Sequence, residues 1–467
     1  MSPRVLNRNM SLDSSKNHFR DLRDKTPASE EFNRRAAEVT PLGVESNVRS
    51  MTPYPIYLGE AEGSYVYDVD GNEYLDFLQG LGPTLLGHDN PRVSAAAKSQ
   101  IDKCGEVTAL PQTVAIEYME QICEMVPSIE KVRLANSGSE ATMHAIRVAR
   151  SYTDKTKIAK PEGGYAGAHD YALQSVYASE EALGPAEEPN TVPYGTGIPD
   201  SVTDTVVAFP FNDKEATEEI LRAHADDMAA VILEPVLASC GVLKPQDGYH
   251  EFLRDLTEEL GIVLIWDEVM TGFRLGPACA QGRFDIEPDM TTFAKVAGGG
   301  YQLGGFGGKA GIMAEIEPPS NDTSEKWETS AFHGGTYNGH PVSCAAGLQT
   351  LEIIDDEPVF EQVEAHAEKL FEGLQTVADD VGVPVNVQHI GSMGQVFMTD
   401  SDLKHYRDTW HADEELFKDW WMECAGRGVL FGNHQQNERF FTAYSNTDEE
   451  IEHALEVAEA AFRAVAD

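Results

Sequence analysis

The pattern of hydrophobic and polar positions changes character twice along this chain. Before about residue 91, apolar positions alternate. Tyr65 to Phe77 reads as two strands folded about Asp70-Gly71, a pair suited to the positive φ angles of a tight hairpin turn. An amphipathic helix is expected from about Ser29, ahead of a turn-rich stretch from Pro41 to Arg49. From residue 91, short apolar runs alternate with helical stripes. Lys131–Ala135 reads as a strand, and Glu140 to Tyr152 places Ala141, Ala145, Ile146, Val148, Ala149 and Tyr152 on one helical face. Val206–Phe209 and Ala229–Leu233 read as buried strands. Tyr249, Phe252, Leu253, Leu256 and Leu260 form a helical stripe that Gly261 ends. Ile262–Trp266 is then apolar without interruption, as a strand covered on both faces must be. Strand and helix alternating over so long a stretch predict an α/β domain with a mainly parallel sheet, and such sheets bind ligands at the carboxyl ends of their strands.

The second change falls near residue 342. Long helices follow, around a strand pair near Val385 and Gly394–Thr399. Thr447 to Glu450 forms a capping box that opens a last helix with Ile451, Ala454, Leu455, Ala458, Phe462 and Val465 inward. The expected organisation is a disordered polar tail (1–27), a helix-plus-hairpin segment packing on the small domain (28–90), a large α/β domain (91–341) and a smaller α+β domain (342–467). The Gly-, Pro-, Ser- and Glu-rich stretch between Tyr165 and Pro210 is long for a compact domain and reads as a lid or binding loop.

Charge narrows the setting. Asp and Glu number 78 against 35 Lys and Arg, for a net charge of −43. The first 27 residues hold six basic and three acidic side chains, so the rest of the chain carries −46. Repulsion of that size is relieved only when salt screens it, over about 3 Å at 1 M, and is expected in a protein of a high-salt cytosol. The same sign disfavours a nucleic-acid partner. No apolar run approaches the roughly 18 residues that span a bilayer, and the opening Met-Ser-Pro-Arg lacks the apolar stretch of a signal peptide, so a cytoplasmic location is expected. The six cysteines include no CxxC pair, which argues against a zinc site and a disulfide framework.

Five stretches carry candidate chemistry. Lys295 follows the apolar Met290–Ala294 and precedes Gly298, Gly299 and Gly300, with more glycines at Gly304, Gly305, Gly307 and Gly308. Glycines let backbone approach a bulky ligand, and a lysine removed from water becomes a nucleophilic amine; a surface lysine beside a flexible loop has the same pattern. Ser137-Gly138-Ser139 joins a strand to a helix, where free N–H groups and hydroxyls can cradle a phosphate; one serine would suffice as a cap. Asp267, just past a buried strand, is either a helix cap or a fixed negative charge able to hold a heterocyclic nitrogen protonated. Tyr165 can lie flat on such a ring or be an ordinary loop tyrosine, and Thr336 sits in a glycine turn that needs no ligand to explain it. Together they supply what pyridoxal 5'-phosphate (PLP) requires of a protein.

The motifs NSGSEA (136–141), EGGY (162–165), LEPV (233–236), WDEVMTGFR (266–274), DMTTFAKVAGGG (289–300) and HGGTYNGHP (333–341) resemble, in this order, the class III (ω-type) aminotransferases of fold type I. The resemblance runs from about Pro41 to the C-terminus and is strongest to the glutamate-1-semialdehyde aminomutase branch. It implies that Lys295 is the Schiff-base lysine and proton carrier, that Asp267 pairs with the ring nitrogen, and that Val269 and Tyr165 sandwich the ring. It further implies that Ser137, Gly138 and Ser139 hold the phosphate, with Thr336 reaching it from a neighbouring subunit of a homodimer. Glu234 matches the acid of the family's Glu-Pro pair; Ser46 and Arg49 match the substrate-carboxylate segment, and Glu438 a glutamate near the C-terminal substrate strand. The chain departs from the aminomutase branch at Ala166 and Ala168, where that branch has histidines, and at Leu81, where it has tryptophan. The expectation is therefore a transaminase moving an amino group from a carboxylate-bearing β- or ω-amino acid or amine to a keto acid. The alternatives are the aminomutase itself and a non-catalytic PLP-binding protein, against which the retained Lys295 and Asp267 argue.

Overall fold

The computed structural model describes residues 22–318, 327–434 and 439–466. Its largest sheet contains β4 (Lys131–Ala135), β5 (Lys157–Pro161), β6 (Val206–Phe209), β7 (Met228–Leu233), β8 (Val263–Asp267), β9 (Met290–Ala294) and β10 (Gly304–Gly308). They lie in the order β4-β10-β9-β8-β7-β5-β6. The pairings of β9, β8, β7, β5 and β6 are parallel, and β10 runs antiparallel between β9 and β4. Every residue of β7, β8 and β9 is buried, as in strands covered on both faces, Thr291 and Thr292 of β9 included. The Gly138–Thr153 helix packs across β9 and β10 on one face. The Tyr249–Leu260 helix ends on Gly261 with φ +62° and buries Tyr249, Leu253 and Leu256 against Trp266 and Phe211 on the other. Each large apolar side chain so buried contributes roughly 1.5–3 kcal/mol.

The N-terminal strands β1 (Leu58–Glu62), β2 (Tyr65–Asp68) and β3 (Glu73–Asp76) form an antiparallel meander whose last strand pairs in parallel with β13 (Val429–Leu430). A third sheet joins β11 (Asn386–Ile390), β12 (Met393–Phe397) and β14 (Phe440–Phe441). One hydrophobic core runs through both: Phe77 stacks on Phe431 with ring centroids 5.4 Å apart, and Trp420 stacks on Phe431 and Phe462. The Thr447 capping box is present, with the Glu450 N–H donating to Thr447 Oγ1 and the Thr447 N–H donating to Glu450.

Several expectations need correction. Residues 1–21 of the expected tail lie outside the described residues, but Leu22–Lys25 is helical, Leu22 and Thr26 are buried, and Lys25 donates to the Gly426 carbonyl. The next helix starts at Pro27, and only Ser29 of it is buried. Tyr152 is 51% exposed, because the helix has turned its last residues off the sheet. Gly304–Gly308 is a sheet strand and not a ligand loop; a Cβ on Gly304 would lie 2.4 Å from the Ser137 carbonyl oxygen. The Tyr165–Pro210 stretch is packed in its first part, with Gln174, Ser175, Val176 and Leu183 buried, while residues 185–188 and 194–197 are exposed.

Candidate active site

Three adjacent parallel strands deliver the ionisable groups. Asp267 is the last residue of β8, Glu234 directly follows β7, and Lys295 directly follows β9. Leu233 pairs with Trp266 and Asp267 with Thr292, so the register brings the three positions side by side at the carboxyl edge. A cavity of about 230 Å³ opens there, lined by Gly138, Ser139, Tyr165, Glu234, Asp267, Val269, Lys295 and Arg439 among others.

Asp267 is buried, and its Oδ1 accepts from the Val269 N–H at 3.0 Å and Thr292 Oγ1 at 3.1 Å. Burial, reinforced by the Glu234 carboxylate, pushes its acid up to about 7; the Lys295 charge pulls the other way. A carboxylate placed like this needs a cation beside it to stay ionised, which a protonated ring nitrogen supplies. Glu234 is also raised by burial, held in check by hydrogen bonds from Ser239 and by the charge of Arg439. Ser239 Oγ donates to Glu234 Oε1, the Ser239 N–H donates to Glu234 Oε2 at 3.2 Å, and the same hydroxyl accepts from the Tyr165 N–H at 3.0 Å.

Lys295 sits at φ +49°, in the left-handed region that costs a side-chain-bearing residue of order 1 kcal/mol or more, and its Nζ donates to the Leu81 carbonyl at 3.0 Å. The residue it reaches is strained too: Gln79, Gly80, Leu81 and Gly82 all have positive φ. This turn is over-determined by its surroundings. Asp76 accepts from the Leu78 and Gln79 N–H groups, the Gln79 amide donates to the Asp76 carbonyl, and Thr84 donates to the Gln79 side chain.

The start of the Gly138–Thr153 helix lies at the other end of the cavity. Ser137 caps it, its hydroxyl accepting from the Glu140 N–H at 3.2 Å. Gly138 must lack a side chain, since a Cβ would lie 2.8 Å from both Val269 methyls. Ser139 Oγ accepts from the Ala168 N–H at 2.9 Å, and the Tyr165 hydroxyl is hydrogen-bonded to Ser139. A helix start, an ion-holding carboxylate, a lysine and a tyrosine face around one cavity match the phosphate, ring nitrogen, aldehyde and ring of PLP.

The substrate-side expectations fare differently. Arg49 is exposed and ion-paired with Glu45 at 3.1 Å, and neither it nor the exposed Ser46 lines the cavity. Thr336 is exposed and lines a separate cavity with His333, Gly335 and Asn338. Glu438 lies outside the described residues. Sequence reasoning missed Arg439, which is buried at 8% exposure and lines the Lys295 cavity. A lone arginine before Phe440-Phe441 gives little signal, because only the β12–β14 pairing turns it toward the cavity edge. It also missed Ser239, five residues beyond Glu234, and the Leu81 carbonyl, which no side-chain pattern can reveal.

Residues 46–462 match the Aminotransferase class-III family. The chain belongs to the class III aminotransferases. It is 39% identical over 453 residues to the glutamate-1-semialdehyde 2,1-aminomutase of Natronomonas pharaonis, covering 90% of this chain and 96% of that protein. Against the protein of the same name from Methanothermobacter thermautotrophicus it is 38% identical over 431 residues, covering 92% and 98%. The crystal structure of an ω-transaminase from Sphaerobacter thermophilus superposes with a TM-score of 0.88 at 31% identity, covering 94% of this class III chain and 98% of that one. Family and fold together place this protein among the PLP-dependent enzymes of fold type I, and the cofactor is pyridoxal 5'-phosphate. Among the described residues no cluster of side chains could hold a metal ion, and no helix is long and apolar enough to cross a membrane.

Proposed function

We propose that this enzyme moves an amino group on a small substrate bearing a carboxylate. The observation that carries the reading is Arg439, a buried guanidinium lining the same cavity as Lys295 and Asp267. A planar fork of donors recognises a carboxylate in two-point fashion, and burial strengthens the pairing. PLP, when bound, supplies an electron sink that makes the carbon carrying the amino group acidic. The protein's share is positional. Asp267 holds the ring nitrogen's proton, Val269 and Tyr165 face the two sides of the ring, and the Ser137–Ser139 helix start receives the phosphate. Lys295 Nζ would take up and return the proton of the substrate carbon that bears the amino group. Thr336, exposed on the protomer, fits a role in the cavity of a second copy, making the working unit a homodimer with shared sites. A high-salt setting fits the −43 net charge.

Two forms of this chemistry are open. The names of the similar curated proteins favour the internal one, glutamate-1-semialdehyde aminomutase, over the two-substrate transaminase first expected from the sequence. The altered shell favours the second form. Ala166, Ala168 and Leu81 replace larger or polar side chains, and Arg439 adds a carboxylate site near Lys295, which suits alternating acids in one cavity. The ω-transaminase of similar fold agrees with it. One experiment separates them: glutamate-1-semialdehyde supplied to the PLP-loaded enzyme without any keto acid. Rapid and complete conversion to 5-aminolevulinate establishes the aminomutase. No conversion, together with turnover of a carboxylate-bearing amine once a keto acid is added, establishes the transaminase.

A further inference from the structure

The turn that carries Tyr165 is closed locally only up to Gly164, whose N–H donates to the Pro161 carbonyl at 3.3 Å. Gly163 (φ +79°) and Gly164 precede the tyrosine, so nothing in the local sequence fixes the plane of the Gly164–Tyr165 peptide, and that plane aims the ring. In the folded chain the plane is held at both edges. Its N–H, from Tyr165, donates to Ser239 Oγ at 3.0 Å. Its carbonyl, from Gly164, accepts from Lys160 Nζ at 2.7 Å. Lys160 lies in β5 at 1% exposure, and its amine also donates to the carbonyls of Gln174 at 2.6 Å and Pro161 at 3.2 Å. Burial drives that amine down to about 7 despite the nearby carboxylates of Glu234, Cys240's thiol and Glu162. An aliphatic side chain would fill the same space without that penalty, so the amine is retained for what it donates to.

The opposite side of the turn is held by residues more than two hundred positions away. Arg407 pairs with the buried Glu162 through two bonds of 2.8 Å, Nε to Oε1 and Nη2 to Oε2, and its remaining donors reach the Gly184 and Pro185 carbonyls. Beside it the Tyr406 ring lies against Gly163, where a Cβ would come within 2.5 Å of that ring. A bidentate pair with one partner 2% exposed is the well-ordered kind that surface ion pairs seldom match.

We propose that Lys160 and Arg407 are positioning residues that clamp the Glu162–Tyr165 turn from its two sides and thereby hold Tyr165 against the cofactor. Neither lines the cavity, so both act through the tyrosine. The inference rests on the reading of the Lys295 cavity as the PLP site. The test is a pair of double-mutant cycles, Lys160→Met with Tyr165→Ala and Arg407→Gln with Tyr165→Ala. The readouts are the dissociation constant of PLP and the circular dichroism of its visible band. With Tyr165 present, each clamp variant should weaken PLP binding about tenfold and diminish the visible dichroism; with alanine at 165, the same change should have almost no further effect. Equal losses in both backgrounds, or no loss in either, would overturn the clamp. If Lys160→Met does not fold, the Arg407→Gln cycle decides, since that side chain is reached from solvent. A wild-type chain that binds no PLP would instead defeat the reading of the cavity.

Discussion

The floor and the roof of the Lys295 cavity are built by opposite strategies. The floor comes from consecutive parallel strands, β7, β8 and β9, with Glu234, Asp267 and Lys295 set side by side by the register of one sheet. The roof is gathered from far apart: the left-handed Gln79–Gly82 turn, Arg439 before β14, and Ser239 beyond the Glu-Pro pair. A sheet fixes its edge residues by a regular hydrogen-bond ladder, so chemistry that must not vary is set there. A roof of loops can change one residue without disturbing the ladder. The departures at Leu81, Ala166 and Ala168 lie in turns and loops, while the strand-end residues match the family motif throughout.

The sharpest way to break this contrast is at the floor. Lys295→Ala should reduce turnover by about 10³-fold or more and leave no borohydride-reducible PLP on the chain. Labelled cofactor retained on another lysine would move the reactive amine elsewhere. At the roof a smaller and different effect is expected. Arg439→Gln should raise the KM for the carboxylate-bearing substrate about 10–100-fold while leaving PLP affinity unchanged. Steady-state kinetics beside PLP titration separates these, and a loss of PLP affinity would assign Arg439 to the floor. Arg49→Ala should raise KM less than Arg439→Gln does, because Arg49 is exposed and pairs with Glu45. A KM increase larger than that of Arg439→Gln would return substrate recognition to the N-terminal segment.

Salt bears on both regions through the surface. The midpoint of thermal unfolding should climb steeply from dilute buffer to molar KCl, because screening relieves repulsion among carboxylates that outnumber cations 78 to 35. A midpoint that stays constant would refute a salt-dependent fold.

A last effect lies beneath the floor. Glu268 is fully buried, and burial pushes its acid from 4.5 up to about 7, although Thr271 and the Ala280 N–H donate to it. A carboxyl raised in the folded state binds its proton there and not in the unfolded chain between those two values. Stability of the PLP-free protein should therefore fall as pH rises through roughly 4.5 to 7, by up to about 1.4 kcal/mol per pH unit for one such group. Glu268→Gln should flatten that slope, measured by denaturant unfolding across the window. An unchanged slope would leave it to Asp267 and Glu234, whose acids burial raises as well.

The sequence by itself determined four strands of the large sheet, the cofactor and the family. Short unbroken apolar runs bounded by turn signals read as strands buried on both faces, and ligands gather where such strands end, so Asp267 was legible as a candidate from its position, while Lys295 stood out only with the family motifs beside it. The helix start at Ser137–Ser139 was legible too, since capping is local to a few residues. Tertiary structure alone decided the rest. Gly304–Gly308 carries no strand pattern, and it is a strand because Ser137 and the flanking β4 and β9 leave no room for side chains. Arg439 enters the cavity because β14 pairs with β12, and Arg407 reaches Glu162 across 245 positions of the chain. Contacts between residues hundreds of positions apart leave no period in the sequence, so one chain read alone does not show them.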